Sequence, residues 1–524
     1  MSAPHSLASS TRLIAVLTML SRVAGLAREM AYSYFFGTGP LLSAFVIAFM
    51  IPNLARRLFG EGALSAAFIP VFARTLKDDS NERAVRLAGG VLSLLGVVLL
   101  ALIVAAEGSL LLSNAIHPSL AVRLTAIMLP FMWVICFAAL LGGILNTLGH
   151  FAAPAVSPVI LNVFVLVTLI VGGKWFGLTD IPLVYAVSVS VLAAGAGQVV
   201  LQLIALRRAR FPLRLNRDWK QPGIREIIAL MAPMIVGVST VQINSLIDKL
   251  FAWFFVADGH GPAVLNYAQF LYQLPLGVFG ISVATAIFPM LAGLAADKDW
   301  KGMTRSVERG MTLGWFIALP ATVGLYLIAH PLVVALYQDG EFKESSSARV
   351  ALCVQFYALG LGAYFIQHIF IRAFYALNDS RVPARVSVIC VFIDLPVNFM
   401  LVIPFGEAGV AFSTAVSAVI QTVWLALLLK RRLPSADYAG LATSLFKTTV
   451  AAAVMGLVVW LVVSDAGLAG RTNWHPAILV AIAVTLGCTA IYAAARALRI
   501  PELAELLERR SGMTPTALSG PASD

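Results

Sequence analysis

The stretch from Ser21 to Arg74 places charged residues inside long apolar runs, on both sides of the turn Gly37-Thr38-Gly39-Pro40. These residues are Arg22, Arg28, Glu29, Arg56, Arg57 and Glu61. An arginine at the centre of a membrane-spanning helix costs about 2.5–3.5 kcal/mol or more, so it usually faces a protein interior or a water-filled cavity. Guanidinium groups stay charged and donate paired hydrogen bonds to phosphates. The hairpin therefore predicts a cationic site for a phosphate-bearing ligand within the membrane.

Structural interpretations of the same charges stay open. Arg22 lies about 15 Å along the first predicted span, near the bilayer centre, whereas Arg56 and Arg57 lie about 21 Å from the outer end of the second. Arg56 and Arg57 could therefore extend to the cytoplasmic interface, and Arg28 could pair with a glutamate. Gly60, Gly62 and Pro52-Asn53 are expected to break the second span. The candidate substrate-binding residues are Arg22, Arg28, Arg56, Arg57 and Glu61.

A second set of polar residues is acidic and lies in later apolar segments. Asp394 and Asn398 are spaced i, i+4 and share one helix face. Asp248 and Thr414 lie in two other segments. Carboxylate, amide and hydroxyl oxygens suit an alkali cation. The alternative is that Asp248 pairs with Lys249 and that Asp394 is paired or protonated.

The composition indicates a polytopic membrane protein. The 524 residues are 60% hydrophobic and 12% charged, with a mean hydropathy of +0.88, whereas soluble domains are about 45–50% apolar and about 25% charged. The net charge of +11 does not indicate a nucleic-acid partner, because the basic residues lie in short loops between apolar segments. That placement instead follows the positive-inside rule, and it predicts both termini in the cytoplasm.

Spans of about 20 apolar residues are long enough to cross a bilayer as helices, and the sequence predicts an all-α protein with fourteen of them. They are 11–36, 42–74, 84–112, 122–148, 155–173, 181–206, 224–257, 263–294, 304–330, 348–377, 383–404, 407–430, 441–464 and 475–497. The second and eighth spans both contain proline and end in AAFIP and TAIFP, respectively. This faint repeat predicts two pseudo-symmetric six-helix lobes with a substrate site between them. The predicted divisions are an N-terminal lobe 1–220, a C-terminal lobe 221–432, two further helices in 433–499 and a mobile cytoplasmic tail 500–524.

The hairpin motifs SRVAGLARE, FGTG and AFMIPNLARRLFGEGALSAAFIPVF, with FYALNDSRVP later in the chain, resemble the MurJ family of bacterial lipid II flippases. This family belongs to the MOP exporter superfamily. The resemblance implies alternating access that moves lipid II, an undecaprenyl-pyrophosphate peptidoglycan precursor, between the leaflets of the inner membrane. Family headgroup-binding arginines match Arg22, Arg28 and Arg56, with Arg57 adjacent, and the EGA segment matches Glu61.

The resemblance also implies a sodium ion as the candidate coupling ion, with no other cofactor. The family ligand positions match Asp248, Asp394, Asn398, Val410 and Thr414, although Asp and Asn are exchanged in the i, i+4 pair. The chain departs from the family at Ser43, Gln269, Phe270 and Gln273, where charged residues are usual. These departures bear on the identity of the lipid, and Lys249 or Arg372 could supply the missing cation.

A lipid II flippase that acts as a monomer, without enzymatic activity, is thus the expected function. The alternative within the superfamily is an exporter of another polyprenyl-linked oligosaccharide or of a drug. A membrane enzyme or scaffold is the third hypothesis, but the sequence has no Walker A, HExxH or GxSxG motif.

Overall fold

A computed structural model describes residues 7–60, 63–78, 80–433, 438–464, 469 and 474–508. This part of the chain is helical and contains no β-strand. The helices are α1 (Leu7–Phe36), α2 (Pro40–Ala55), α3 (Ala63–Asp78), α4 (Asn81–Ile116), α5 (Leu120–Met128), α6 (Phe131–Thr147), α7 (Ala152–Val167), α8 (Asp180–Arg208), α9 (Pro222–Phe255), α10 (Gly261–Pro275), α11 (Ile281–Ala296), α12 (Trp300–Tyr337), α13 (Glu344–Ala376), α14 (Arg381–Lys430), α15 (Tyr438–Val463), α16 (Pro476–Ala497) and α17 (Pro501–Glu508). Three π-helical segments, Arg56–Gly60, Thr168–Trp175 and Leu276–Gly280, continue α2, α7 and α10.

Eleven helical runs in the described ranges are long and apolar enough to cross a membrane. One of them, α14, runs through Gly406, whose φ of 56° and ψ of −138° are not helical. The predicted spans 383–404 and 407–430 meet at this residue, so α14 consists of two helical arms separated by a kink, one for each predicted span. The predicted all-α membrane class is confirmed.

Proline explains two of the π-helical segments. Proline lacks the N–H that an α-helix requires and clashes with the carbonyl four residues earlier. Pro52 lies within α2 just before Arg56–Gly60, and Pro275 directly precedes Leu276–Gly280. Short π segments are frequent at functional sites. The predicted break in the second span is therefore observed, and it carries Arg56 and Arg57.

The chain forms two compact units. Unit 1 comprises Met1–Tyr267, Tyr337–Ser346 and Val402–Glu407, and unit 2 comprises Ala268–Leu336, Ser347–Leu401 and Ala408–Asp524. A core of unit 1 packs α3 against α4 and α6 through buried residues that include Phe68, Phe72, Leu92 and Leu141. A core of unit 2 packs α11 against α13 and α14 through Ile287, Phe374 and Leu425, among others. The predicted lobes are a different division of the chain and stay a prediction.

Hydrogen bonds fix the turn between α1 and α2 within unit 1. Gly37 has a φ of +59°, and its carbonyl accepts a hydrogen bond of 3.0 Å from the hydroxyl of Tyr267. The Thr38 hydroxyl lies 2.7 Å from the Ser346 hydroxyl and 2.9 Å from Nδ1 of His260. The turn thus holds the first two spans in a fixed register.

The segment after residue 500, predicted to be mobile, begins with the helix α17. Glu502 is buried and accepts a 2.6 Å hydrogen bond from the hydroxyl of Ser444. Glu505 forms a 2.9 Å ion pair with Arg309. These contacts attach α17 to α12 and α15 within unit 2.

Candidate functional site

Arg28 contacts three side chains of unit 1. Its Nη1 donates to Oδ1 of Asn162 at 2.9 Å, and its Nη2 donates to Oε1 of Glu29 at 2.6 Å. The guanidinium carbon lies 5.7 Å from the centre of the Tyr32 ring. The third donor, Nε, is buried and has no hydrogen-bond partner among the described residues. The pairing of Arg28 with Glu29, one of the interpretations left open by the sequence, is observed, yet the buried Nε–H still lacks an acceptor among the described residues.

Glu29 continues this contact into a chain of four residues. Its second oxygen, Oε2, accepts a 3.1 Å hydrogen bond from Nδ2 of Asn266. Oδ1 of Asn266 accepts a 3.2 Å hydrogen bond from the ammonium of Lys249. An amide between a carboxylate and an ammonium matches donors to acceptors only in this orientation. We call the chain Arg28–Glu29–Asn266–Lys249 the relay; it joins α1, α10 and α9 within unit 1.

Arg56 and Arg57 contact neutral amides as well. Nε of Arg56 donates to Oδ1 of Asn53 at 3.1 Å, one turn earlier. Nη1 of Arg57 donates to Oε1 of Gln242, on α9, at 2.7 Å. Both arginines are half-buried and take part in further interactions. The π-helical segment therefore directs these two cations to amide oxygens of unit 1.

Arg22 differs from the other arginines because it has no hydrogen-bond or ion-pair partner in the part of the chain that the structure describes. It is half-buried on α1. The preceding carbonyl, of Ser21, accepts a 3.2 Å hydrogen bond from Nδ2 of Asn162, the residue that also binds Arg28. Asn162 therefore binds α1 at two points, next to Arg22 and at Arg28. Glu61, the remaining predicted member of this site, lies outside the described residues.

The residues of the acidic set are divided between the two units. Asp394 is buried in unit 2, and its two carboxylate oxygens accept hydrogen bonds from Nδ2 of Asn398 at 2.9 Å and from the hydroxyl of Ser413 at 2.7 Å. The Thr414 hydroxyl donates to the carbonyl of Val410 at 3.0 Å. Asp248 is also buried but belongs to unit 1. Within the described ranges no three His, Cys, Asp or Glu side chains form a metal-binding group, so an ion here would depend on amide, hydroxyl and carbonyl oxygens in addition to the Asp394 carboxylate.

Two of the positions that depart from the family pattern make neutral hydrogen bonds. The Ser43 hydroxyl accepts from the backbone N–H of Ala263 at 3.3 Å in unit 1. Nε2 of Gln269 donates to the hydroxyl of Tyr357 at 3.2 Å in unit 2. These positions therefore contribute hydrogen bonds but no charge.

Sequence reasoning missed the amides and hydroxyls that hold the charged residues. Asn162, Gln242, Asn266 and Ser413 were not predicted to be part of either site. The available signal was polarity alone, because an amide in an apolar helix needs a hydrogen-bond partner. That signal does not identify the partner, which is 134 residues away in sequence for Asn162 and Arg28.

The helical fold is similar to the folds of solved membrane transporters. The structure is similar to that of a multidrug resistance MATE family transporter of the MOP superfamily in its inward-facing conformation, with a TM-score of 0.64 and 16% identity over 80% of this chain and 98% of the other. It is more similar to a solved lipid II flippase MurJ in an inward closed conformation, with a TM-score of 0.76 and 21% identity over 95% of this chain and 99% of the other. At these identities both likenesses concern the fold.

The family follows from the sequence comparisons. The model of the lipid II flippase MurJ family matches residues 32–484. A probable lipid II flippase MurJ of Rhizobium tropici is 32% identical over 455 residues, which cover 84% of each chain. The lipid II flippase MurJ of Burkholderia cenocepacia is 32% identical over 79% of this chain and 82% of its own. The chain therefore belongs to the lipid II flippase MurJ family.

Proposed function

We propose that this protein moves lipid II from the inner to the outer leaflet of the bacterial inner membrane. The observation that carries the proposal is the buried Nε–H of Arg28, which has no acceptor among the described residues, within a membrane-spanning helix. A buried donor without an acceptor costs about 1–3 kcal/mol. A pyrophosphate oxygen is a suitable acceptor, and the charge of Arg28 favours an anion there. Family membership supports lipid II as the anion.

The transport step requires no bond to be broken, so the protein is proposed to act without enzymatic catalysis. The cations have a binding role: Arg22, Arg28, Arg56 and Arg57 attract the diphosphate, and Glu29 keeps the charge of Arg28 in place. Arg22 has no partner among the described residues, so no contact there competes with a ligand for its guanidinium.

A fourteen-span topology with alternating access supports this role. Eleven runs qualify as spans by length and hydropathy in the described ranges. α1 and α9 coincide with predicted spans, and α14 contains two predicted spans that meet at Gly406. Fourteen spans place both termini on one side, which the basic loops assign to the cytoplasm. Two six-helix lobes, 1–220 and 221–432, would expose the site alternately to the two sides of the membrane.

A sodium ion is the proposed coupling ion. Asp394, Asn398, Val410 and Thr414 lie together in unit 2, and Ser413 adds a hydroxyl oxygen to the set. The residues fit a hard cation because each supplies an oxygen and one carries a negative charge. Asn398 presents its N–H₂ to Asp394 here, and a turn of the amide would present its oxygen instead. A bound sodium ion would supply positive charge to the Asp394 carboxylate. The role of Asp248 as a further ligand stays a prediction.

Rescue of bacteria depleted of their own lipid II flippase tests the proposed function, with surface exposure of lipid II as the readout. Wild type should restore exposure, and Arg22→Ala should not. Failure of the wild type to restore exposure, although the protein reaches the membrane, would refute the proposal. The uncharged contacts of Ser43 and Gln269 favour a second candidate, another polyprenyl-linked oligosaccharide. Native mass spectrometry of co-purified lipid distinguishes the two cargoes.

A further inference from the structure

The relay contains two cations and one carboxylate, all in unit 1. Arg28 and Lys249 lie at its ends, and Glu29 and Asn266 lie between them. Glu29 is 3% exposed, and the Arg28 side chain is 21% exposed. Charges in this setting are poorly screened by water, so an imbalance among them strongly changes how the site attracts a charged ligand. The relay carries one more positive than negative charge.

Lys249 is the end of the relay that no carboxylate neutralises directly. The one hydrogen bond of its ammonium within the described ranges goes to a neutral amide, Oδ1 of Asn266. An ammonium has three N–H donors, so two remain available. The charged groups that act on Lys249 are Arg57, Glu29 and Asp248. Asp248 is its neighbour on α9, and adjacent side chains on a helix point in different directions.

Asn266 fixes the position of the ammonium without removing its charge. Its N–H₂ group is committed to Glu29 and its oxygen to Lys249, so the amide plane is determined from both sides. A carboxylate at this position would neutralise Lys249, and an apolar residue would leave it unsupported. The amide is the side chain that holds the cation and leaves it charged for a ligand.

We propose that Lys249 is a second phosphate-binding cation and that Asn266 is its positioning residue. The ligand class is a lipid-linked diphosphate, so the inference rests on the proposed function and deepens it. Arg28 offers its free Nε–H at one end of the relay, and Lys249 offers two N–H donors at the other. A diphosphate carries more negative charge and more acceptor oxygens than a monophosphate, so it should engage both cations, whereas a monophosphate engages only one.

Arg372 is a weaker choice for this second cation. It belongs to unit 2, where its guanidinium lies 5.4 Å from the centre of the Phe288 ring. No hydrogen bond within the described residues connects it to a carboxylate. Lys249, by contrast, is connected to Arg28 through three consecutive hydrogen bonds or ion pairs.

The experiment measures binding to the full-length protein in lipid nanodiscs. The probes are undecaprenyl pyrophosphate, undecaprenyl phosphate and inorganic pyrophosphate. Wild type should bind the diphosphate lipid most tightly. Lys249→Gln should weaken that binding about tenfold or more, as expected for loss of a charge-assisted hydrogen bond, and change monophosphate binding much less. Lys249→Arg should keep the diphosphate preference, and Asn266→Leu should lose it although Lys249 is present. Lys343→Gln, at a side chain that is 66% exposed, is the matched control.

The outcomes separate this inference from the proposed function. If wild type shows no preference for the diphosphate lipid, the proposed function itself fails. If wild type shows the preference and both Lys249→Gln and Asn266→Leu retain it, the role of Lys249 is refuted while the function stands. Equally tight binding of inorganic pyrophosphate would overturn the assignment to a lipid. Undiminished monophosphate binding by Lys249→Gln shows that the variant is folded.

Discussion

The guanidinium of Arg28 lies 2.6 Å from the carboxylate of Glu29, the next residue in the same helix. Adjacent helical residues point about 100° apart and do not normally face each other. Here Asn162 on α7 holds Arg28 from one side, and Asn266 on α10 holds Glu29 from the other. The ion pair therefore depends on three helices of unit 1, and it links the packing of these helices to the charge of the site.

Replacing Glu29 with glutamine should disrupt both the packing of these helices and the charge of the site. The change keeps the size of the side chain but removes the only carboxylate of the relay, so Arg28 loses its charged partner. We expect the free energy of unfolding to fall by about 1.5–3 kcal/mol, the range for hydrogen bonds to charged groups, and flipping to be lost. Thermal unfolding in detergent and lipid II exposure measure the two effects. Glu341→Gln, which removes an exposed ion pair with Lys343, should change neither. An unchanged melting temperature in Glu29→Gln would contradict a structural role of the pair.

Alanine at Arg22 and at Arg28 should give different phenotypes. Arg22 has no partner among the described residues, so Arg22→Ala should abolish transport and leave the melting temperature unchanged. Arg28→Ala removes contacts with Asn162, Glu29 and the Tyr32 ring, so it should lower both transport and stability. Unfolding curves and a flipping assay on the same two preparations make the comparison. Wild-type transport by Arg22→Ala would show that this arginine is only structural.

The sequence was sufficient to predict the all-α membrane class, because hydropathy depends on local composition. The break at Arg56–Gly60 also followed from local residues, Pro52 and the glycines. The division of α14 at Gly406 followed in the same way, because the backbone of this residue is not helical and the predicted spans 383–404 and 407–430 meet there.

The partners of the charges could not be predicted in the same way. The contact between Arg57 and Gln242 joins residues 185 positions apart, and that between Glu29 and Asn266 joins residues 237 positions apart. Such pairs depend on how helices pack, which one sequence does not specify. Ser413 was missed for a related reason: its hydroxyl is directed to Asp394 by the packing of the two arms of α14.

Replacing Gly37 with alanine should destabilise the turn between the first two spans. The residue has a φ of +59°, and an added Cβ would clash with the carbonyl oxygen of Glu341. Gly177 has a similar φ of +63° but no atom within 4 Å of an added Cβ, so Gly177→Ala measures the backbone cost alone. That cost is about 1–2 kcal/mol. Gly37→Ala should lower the melting temperature clearly more than Gly177→Ala does. Equal effects would show that the contact with Glu341 yields easily.

Sodium should stabilise the protein through Asp394. A ligand that binds only the folded state raises stability in proportion to the logarithm of its concentration above Kd, so the melting temperature should be higher in sodium chloride than in choline chloride of equal concentration. Asp394→Asn removes the charge, and it should abolish the difference. Ser413→Ala removes one candidate oxygen, so it should reduce the difference without abolishing it. Thr422→Ala, which removes a hydroxyl bonded to the carbonyl of Ala363 in the same unit, is the matched control and should keep the full sodium effect. A sodium effect that persists in Asp394→Asn would place the coupling ion elsewhere.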